Sequence, residues 1–481
     1  MIKKRWLILG ILILVMVVGI VFYWHYRTSG RISAIYPVDE KQAILIRDHY
    51  FHKYFEDEYV VLMDIKEGEI WSSKLPGGAN VISGSYRGMS VGDGVVTVRC
   101  YIGKYYAVHE VGTVAFNLTD GKELWRFKPQ LKGYKPSRHG PLYVSTLAEG
   151  DQLFEAYSFS RGYEENKEYQ TILFALDRKT GQLLWKTKIS DPISNVLMTP
   201  KLLLYLDGWK MRRIYLSRRD GKKVYSHRRG FYIINNHFWY LKNNRSLHAV
   251  NLDTLKDRVV NPHFLDLEKY TQSLALGKYK GELVFVIDRI SKGRFGEGKI
   301  LGIAPKSGRV NWRIPLGWSL AIPLMSFSPN ISQEYPKHVP FNGKLTRFIP
   351  FIASKIKSPS PYRLMVVDLE KKRIAFEGKD NKELLHWTLF SAEGNYYLSR
   401  DDKIAVFNGA TGELDAAVRV SGADDLLPFQ VKDGKLWTFN TYNHFAVLDA
   451  KTLKLIYASH DEVNIENILP EMKEFLGMKQ K

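Results

Sequence analysis

The chain has 481 residues, of which 45% are hydrophobic, 13% aromatic and 25% charged, a balance that excludes collagenous, low-complexity and largely disordered classes. Its length allows two or three ordinary domains or one large repeat domain. Seventy Lys and Arg against 50 Asp and Glu leave a formal charge of +20, which favours anionic surroundings, and the single cysteine, Cys100, excludes a disulfide scaffold and a Cys-rich zinc site.

Lys3, Lys4 and Arg5 precede an uncharged run from Trp6 to Trp24, 19 residues long. A helix of that length spans roughly 30 Å of hydrocarbon. The residues that follow, His25 to Arg31, offer no small-x-small cleavage site, and no cysteine lies near to carry a lipid. An uncleaved transmembrane anchor over 6–24 is therefore expected. The flanking charges, Lys3, Lys4 and Arg5 before it and Arg27 and Arg31 after it, predict an inward N-terminus and an extracytoplasmic remainder, periplasmic in a Gram-negative cell.

Beyond the anchor the sequence repeats itself. Ala115 to Trp125 and Ala175 to Trp185 share one pattern: an apolar strand, a polar turn ending in Gly121 or Gly181, and a strand opening toward Trp. Degenerate copies place Gly68 before Trp71, Gly221 before Tyr225, Gly308 before Trp312 and Gly412 before Val418. Copies without the glycine run from Ala249 to Val259, Val366 to Phe376 and Val447 to Tyr457. The glycine-equivalent positions recur from 68 to 453 with a mean step of about 48 residues, and short β-branched and aromatic runs precede each. Four strands per unit at that step is the pattern of a propeller blade. The predicted fold is all-β: an eight-bladed propeller of four-stranded blades behind the transmembrane helix, with seven or nine blades allowed by the nine repeat anchors. Glycine suits a turn position at positive φ, and the aromatic four residues on is read as packing between neighbouring blades. Trp71, Trp125, Trp185, Trp312, Tyr225, Phe376 and Tyr457 are assigned that structural role.

The pattern Ala-x-Asp-x-x-Thr-Gly-x-x-x-Trp, complete at Ala175, Asp177, Thr180, Gly181 and Trp185, resembles the tryptophan-docking motif of pyrroloquinoline-quinone-like (PQQ-like) repeat proteins. The resemblance covers about residues 35–460 and implies a β-propeller with one of two functions. Quinoprotein dehydrogenases hold the quinone and a calcium ion, commonly beside a disulfide between adjacent cysteines. With Cys100 alone that disulfide is impossible, Asp401-Asp402 and Asp424-Asp425 read as solvated turn pairs, and no motif for other chemistry is present. No cofactor or metal is expected, and a PQQ-using dehydrogenase is kept as the alternative. The other branch is noncatalytic and is similar to the propeller subunit that assists the outer-membrane β-barrel insertion machinery. That subunit is a lipoprotein, whereas this chain lacks a lipid-accepting cysteine. The expected function is a membrane-anchored protein-interaction scaffold of the cell envelope.

The remaining stretches suggest where partners bind. From 209 to 230, Lys210, Arg212, Arg213, Arg218, Arg219, Lys222, Lys223, Arg228 and Arg229 stand against Asp220 alone. They form a candidate basic contact surface for an acidic protein, an anionic lipid or an envelope polymer, or else a protected sheet edge. Nucleic acid is not an expected partner, since no recognised module for it is present. Eight of the 19 prolines fall within 315–361, which reads as an inserted loop, and 129–170 reads as a second insertion. Met472, Phe475, Leu476 and Lys479 after Pro470 predict a short helix. The chain thus divides into an anchor with its flanks (1–31), a propeller (32–460) and a C-terminal tail (461–481).

Overall fold

Seven of the nine repeats turn back around an Asp or Asn that accepts the amides ahead of it, while Ser217 takes that place in sheet 4 and Ala304 in sheet 6. Asp177 Oδ1 takes the N–H groups of Lys179 (3.0 Å) and Thr180 (2.8 Å) and the Thr180 hydroxyl (2.8 Å). Asp449 holds Lys451, Thr452 and the Thr452 hydroxyl in the same way. Four residues after this acceptor the chain reverses at positive φ, as at Gly181 (+71°), where a Cβ would be strained. In the repeats that lack glycine, Lys372 (+54°) and Leu453 (+55°) adopt the same conformation.

The strand that follows carries a bulge. In the fourth strand of all nine sheets the register slips by one residue, so that Ala175 faces Trp185 while Leu176 faces Leu183 and Leu184 bulges out. A bulge rotates the following side chain out of the regular alternation. Here it turns the aromatic toward the next sheet.

The computed structural model describes residues 16–17, 31–51, 55–76, 79–80, 89–102, 110–129, 143–161, 168–189, 193–198, 201–207, 213–227, 232–234, 237–242, 246–251, 253–254, 256–264, 272–288, 290–291, 294–295, 298–317, 319–320, 345–354, 362–421, 427–439, 445–459 and 463–478. Among them, nine antiparallel sheets of four or five strands follow one another along the chain, each built on a meander, with Ala79–Asn80 and Met89–Gly92 both pairing with Val95–Ile102 in the second. Sheets 1 to 9 span 31–74, 79–127, 143–189, 193–227, 232–261, 272–315, 319–377, 388–421 and 427–458. Every one of the nine repeat anchors has its own sheet, nine being one of the counts that the anchors left open beside the expected eight.

Apolar clusters join sheets 1 and 2, 3 and 4, 5 and 6, 6 through 8, and 8 and 9. Sheets 9 and 1 also meet. Trp437, Phe445 and Val447 pack with Ile32, Ile35, Leu45 and Val61, and Tyr457 lies against the same cluster. Lys432 Nζ reaches the carbonyls of Pro37 and Val38, and Lys435 Nζ that of Glu40 (2.5 Å). The first and ninth sheets share no strand. Successive four-stranded meanders that close on themselves in this way make a β-propeller.

Three expectations are corrected. The stretch 129–170 is not an insertion throughout, since Tyr143–Glu149 and Gln152–Arg161 are the first two strands of sheet 3. The proline-rich stretch is not wholly a loop, because Pro315 ends the strand Val310–Pro315 and Pro350 is buried within Phe348–Ser354. On its described side Pro350 lies opposite Val366 of the strand Tyr362–Asp368. The tail is no separate segment: Asn464–Asn467 adds a fifth strand to sheet 8 beside Leu414–Ser421. The helix Leu469–Leu476 (α1), capped by Gly477 at +75°, buries Met472 and Leu476 in the cluster of sheets 7 and 8. The segment 321–344 and the expected anchor, apart from Met16 and Val17, lie outside the described residues. Among those described, no helix is long and apolar enough to cross a membrane.

Candidate interaction surface

Three of the repeat tryptophans bond across the seams, while the side chain of Tyr225 lies outside the described residues. Trp71 Nε1 donates to the Leu118 carbonyl of sheet 2 (2.9 Å), Trp125 to Arg178 of sheet 3 (3.0 Å) and Trp185 to Arg218 of sheet 4 (2.8 Å). Each acceptor lies three residues before the glycine on which the indole rests. A Cβ at Gly121 would meet Trp71, one at Gly181 would meet Trp125, and one at Gly221 would meet Trp185, all at 2.5 Å. Asp177 and Thr180 shape the turn that carries the Arg178 carbonyl.

Elsewhere the seam is built differently. Trp312 is buried in the cluster of sheets 6 to 8, but its indole donates to Glu282 of its own sheet. The turn of sheet 7 offers Lys372 instead of glycine. Gly308 is met not from Val259 but from Asn261, whose Nδ2 donates to the Gly308 carbonyl (2.9 Å), because the bulge of sheet 5 falls at Val260. Gly412 is covered by Phe348 of sheet 7, while Phe376 packs beside the cluster that holds α1.

Sheets 2 and 3 are joined by polar groups as well. Glu155 is fully buried and accepts from the Thr113 and Tyr157 hydroxyls, and the Arg99 guanidinium lies 5.9 Å from the centre of the Tyr157 ring. Burial, with Glu155 next to it, holds the Tyr157 phenol well above its ordinary range. Arg178 is 3% exposed and extends to the Val95 carbonyl (3.4 Å) and Ser90 (3.5 Å) of sheet 2, over Gly92, where any Cβ would meet the guanidinium. None of these residues is marked by the repeat pattern, since the register alone brings them together.

Cys100 is buried in the cluster of sheets 1 and 2, and burial pushes its thiol up to about 12. As the single cysteine of the chain, and sealed inside a seam, Cys100 cannot form a disulfide between adjacent cysteines. Among the described residues no three His, Cys, Asp or Glu side chains are grouped to hold a metal.

The basic stretch is divided by the fold. Lys210, Arg212, Arg228 and Arg229 lie outside the described residues, and Arg213 begins the strand Arg213–Ser217. Arg218 is no free contact. Its guanidinium covers the Phe154 ring (5.5 Å) and reaches Gln152 Oε1 (3.3 Å), so it belongs to the seam with sheet 3. Arg219, Lys222 and Lys223 are exposed, as are Lys179, Lys186 and Lys188 on the neighbouring sheet.

Among these cations stand the bulge residues, which sequence reasoning did not single out. Ile70 (42%), Leu124 (44%), Leu184 (46%), Val224 (42%) and Ile456 (44%) are exposed on sheets 1, 2, 3, 4 and 9. The corresponding residues of sheets 6, 7 and 8 are Asn311, Ala375 and Asp415. The outer wall is therefore aliphatic along one arc that crosses the ring closure, and polar or small along another.

Residues 110–234 match the PQQ-like family model described as outer membrane protein assembly factor BamB. No curated protein matches the chain. Solved structures similar to it include BamB from Moraxella catarrhalis, at 10% identity and TM-score 0.39 over 86% of this chain and 95% of that one. Quinohemoprotein alcohol dehydrogenase from Comamonas testosteroni is 11% identical with TM-score 0.39, over 94% and 76%. AztD from Citrobacter koseri is 12% identical with TM-score 0.36, over 80% and 96%.

Proposed function

We propose that this PQQ-like repeat β-propeller is a nine-bladed scaffold held at the cell envelope by residues 6–24, with the propeller outside the cytoplasm, and that it binds protein partners through its outer wall. The observation that carries this reading is the arc of exposed aliphatic bulge residues, Ile456, Ile70, Leu124, Leu184 and Val224, with Lys186, Lys188, Lys222 and Lys223 beside it. Exposed aliphatics set among cations suit a partner with an acidic, partly apolar face. The family model over 110–234 favours a role in envelope or outer-membrane protein assembly over quinone-dependent turnover.

The test is photo-crosslinking in intact cells from positions 124, 184 and 224, compared with 311, 375 and 415 on the other arc. Envelope assembly proteins should be captured from the first set and lost when Leu184 and Val224 are replaced by Glu. Both sites are exposed, so these substitutions should shift stability by no more than about 0.5 kcal/mol. Equal capture from both arcs, or capture that survives Leu184→Glu and Val224→Glu, would refute the proposal.

A further inference from the structure

Sheet 5 holds a serine, a histidine and an aspartate in one hydrogen-bonded line. Ser246 and His248 alternate along the strand Ser246–Asn251, and Asp257 opens the neighbouring strand Asp257–Asn261 opposite Val250. The register puts all three on one face, while Leu247 and Ala249 point the other way, into the cluster with sheet 6. Ser246 Oγ lies 3.0 Å from His248 Nε2, and His248 Nδ1 lies 3.0 Å from Asp257 Oδ1. His248 is 4% exposed, whereas Ser246 is half-buried and Asp257 reaches solvent.

The proton positions follow from the partners. An ionised carboxylate only accepts, so Nδ1 carries the hydrogen toward Asp257. In the neutral ring Nε2 then presents its lone pair to Ser246, whose hydroxyl donates. A hydroxyl that donates to an imidazole fixed in this tautomer by a carboxylate is the arrangement that activates a serine for acyl transfer, and it is recognised by geometry and not by order in the chain. The proposed contact wall does not use these residues.

We propose that Ser246 is a base-activated nucleophile toward carboxylic esters, with His248 as the general base and Asp257 as the positioning residue. Ser246 Oγ bonds to the acyl carbon as its proton passes to His248 Nε2, and the alcohol leaves with that proton. Water, deprotonated by the same nitrogen, then releases the carboxylic acid and restores the hydroxyl.

The probe is a fluorophosphonate, applied to the full-length chain in detergent beside a known serine hydrolase as a positive control. Oγ bonds to phosphorus, fluoride leaves, and peptide mass spectrometry locates the adduct. The expected result is a single adduct on Ser246, abolished by Ser246→Ala. Asp257→Asn should slow labelling roughly 100-fold, the scale of general-base assistance. Circular dichroism and the thermal midpoint of both variants show whether the sheet is intact. A polar bridge that only joins two strands would shift the midpoint without any adduct forming. An unlabelled Ser246 while the control reacts, or unchanged labelling in a folded Asp257→Asn chain, overturns the proposal.

Discussion

Replacing Gly181 by alanine should break one seam of the ring by a calculable amount. The residue sits at φ +71°, and an alanine there costs about 1–2 kcal/mol in left-handed strain alone. The new methyl would also lie 2.5 Å from Trp125 Cδ2, against the body of an indole that its hydrogen bond to Arg178 holds in place. Overpacking of this kind costs roughly 1–3 kcal/mol, which brings the total to about 2–5 kcal/mol. Gly94 is the internal control. It has φ +74° and nothing within 4 Å of the added Cβ, so Gly94→Ala should cost only the strain. The assay is urea unfolding of the full-length chain, with midpoints compared at a common slope. A double-mutant cycle with Trp125→Ala adds the decisive arm, because without the indole the methyl has room and the excess cost of Gly181→Ala should vanish. Equal costs at Gly94 and Gly181, or an unchanged excess after Trp125→Ala, would refute the assignment of Trp125 to this seam.

Trp185→Phe keeps a ring over Gly221 but loses the bond to the Arg218 carbonyl, and should lower stability by about 1 kcal/mol in the same assay. Cys100 should not react with a thiol reagent at pH 8 in the folded chain and should react fully in urea, since burial holds its proton; rapid native labelling would contradict this. Amides of Thr180, Thr452 and Lys66 hold the carboxyls of Asp177, Asp449 and Asp64 below the ordinary range. A depressed folded value adds stability above the unfolded value of about 3.9 and loses it as pH falls through the folded one. The thermal midpoint should therefore stay flat with respect to these groups near neutrality and drop below about pH 4, less steeply in Asp177→Asn.

What could be read in the sequence was what chemistry restricts to few residues. The turn needs an oxygen acceptor and a positive φ, so Asp177, Thr180 and Gly181 announce it, and the indole that donates across the seam marks Trp71, Trp125 and Trp185. The bulge leaves no such mark, because a residue expelled from the ladder has no required side chain: Ile70, Asn311 and Asp415 all occupy it. For the same reason the shift to Val260 in sheet 5, which gives the seam to Asn261, was invisible. Arg218 read as a surface cation because its stem and guanidinium find Phe154 and Gln152 only through tertiary packing. The line from Ser246 to Asp257 depends on a cross-strand register, which spacing alone does not fix. Asn464–Asn467 has little strand propensity and pairs because the edge of sheet 8 is open to it.

The ring meets its own beginning without a shared strand, and this sets an order of events during synthesis. Lys432 and Pro37 are 395 residues apart, and bringing the ends of such a chain together costs about 5 kcal/mol in closure entropy. Until the ninth sheet exists, the face of the first that carries Ile35, Leu45 and Val61 has no cover. A chain that stops short of residue 427 keeps that face wet however well its other sheets have formed. Burial of Ile35 thus reports that the ninth sheet has formed, and a product interrupted before it carries an apolar surface by which proteases and chaperones can tell it from the closed ring.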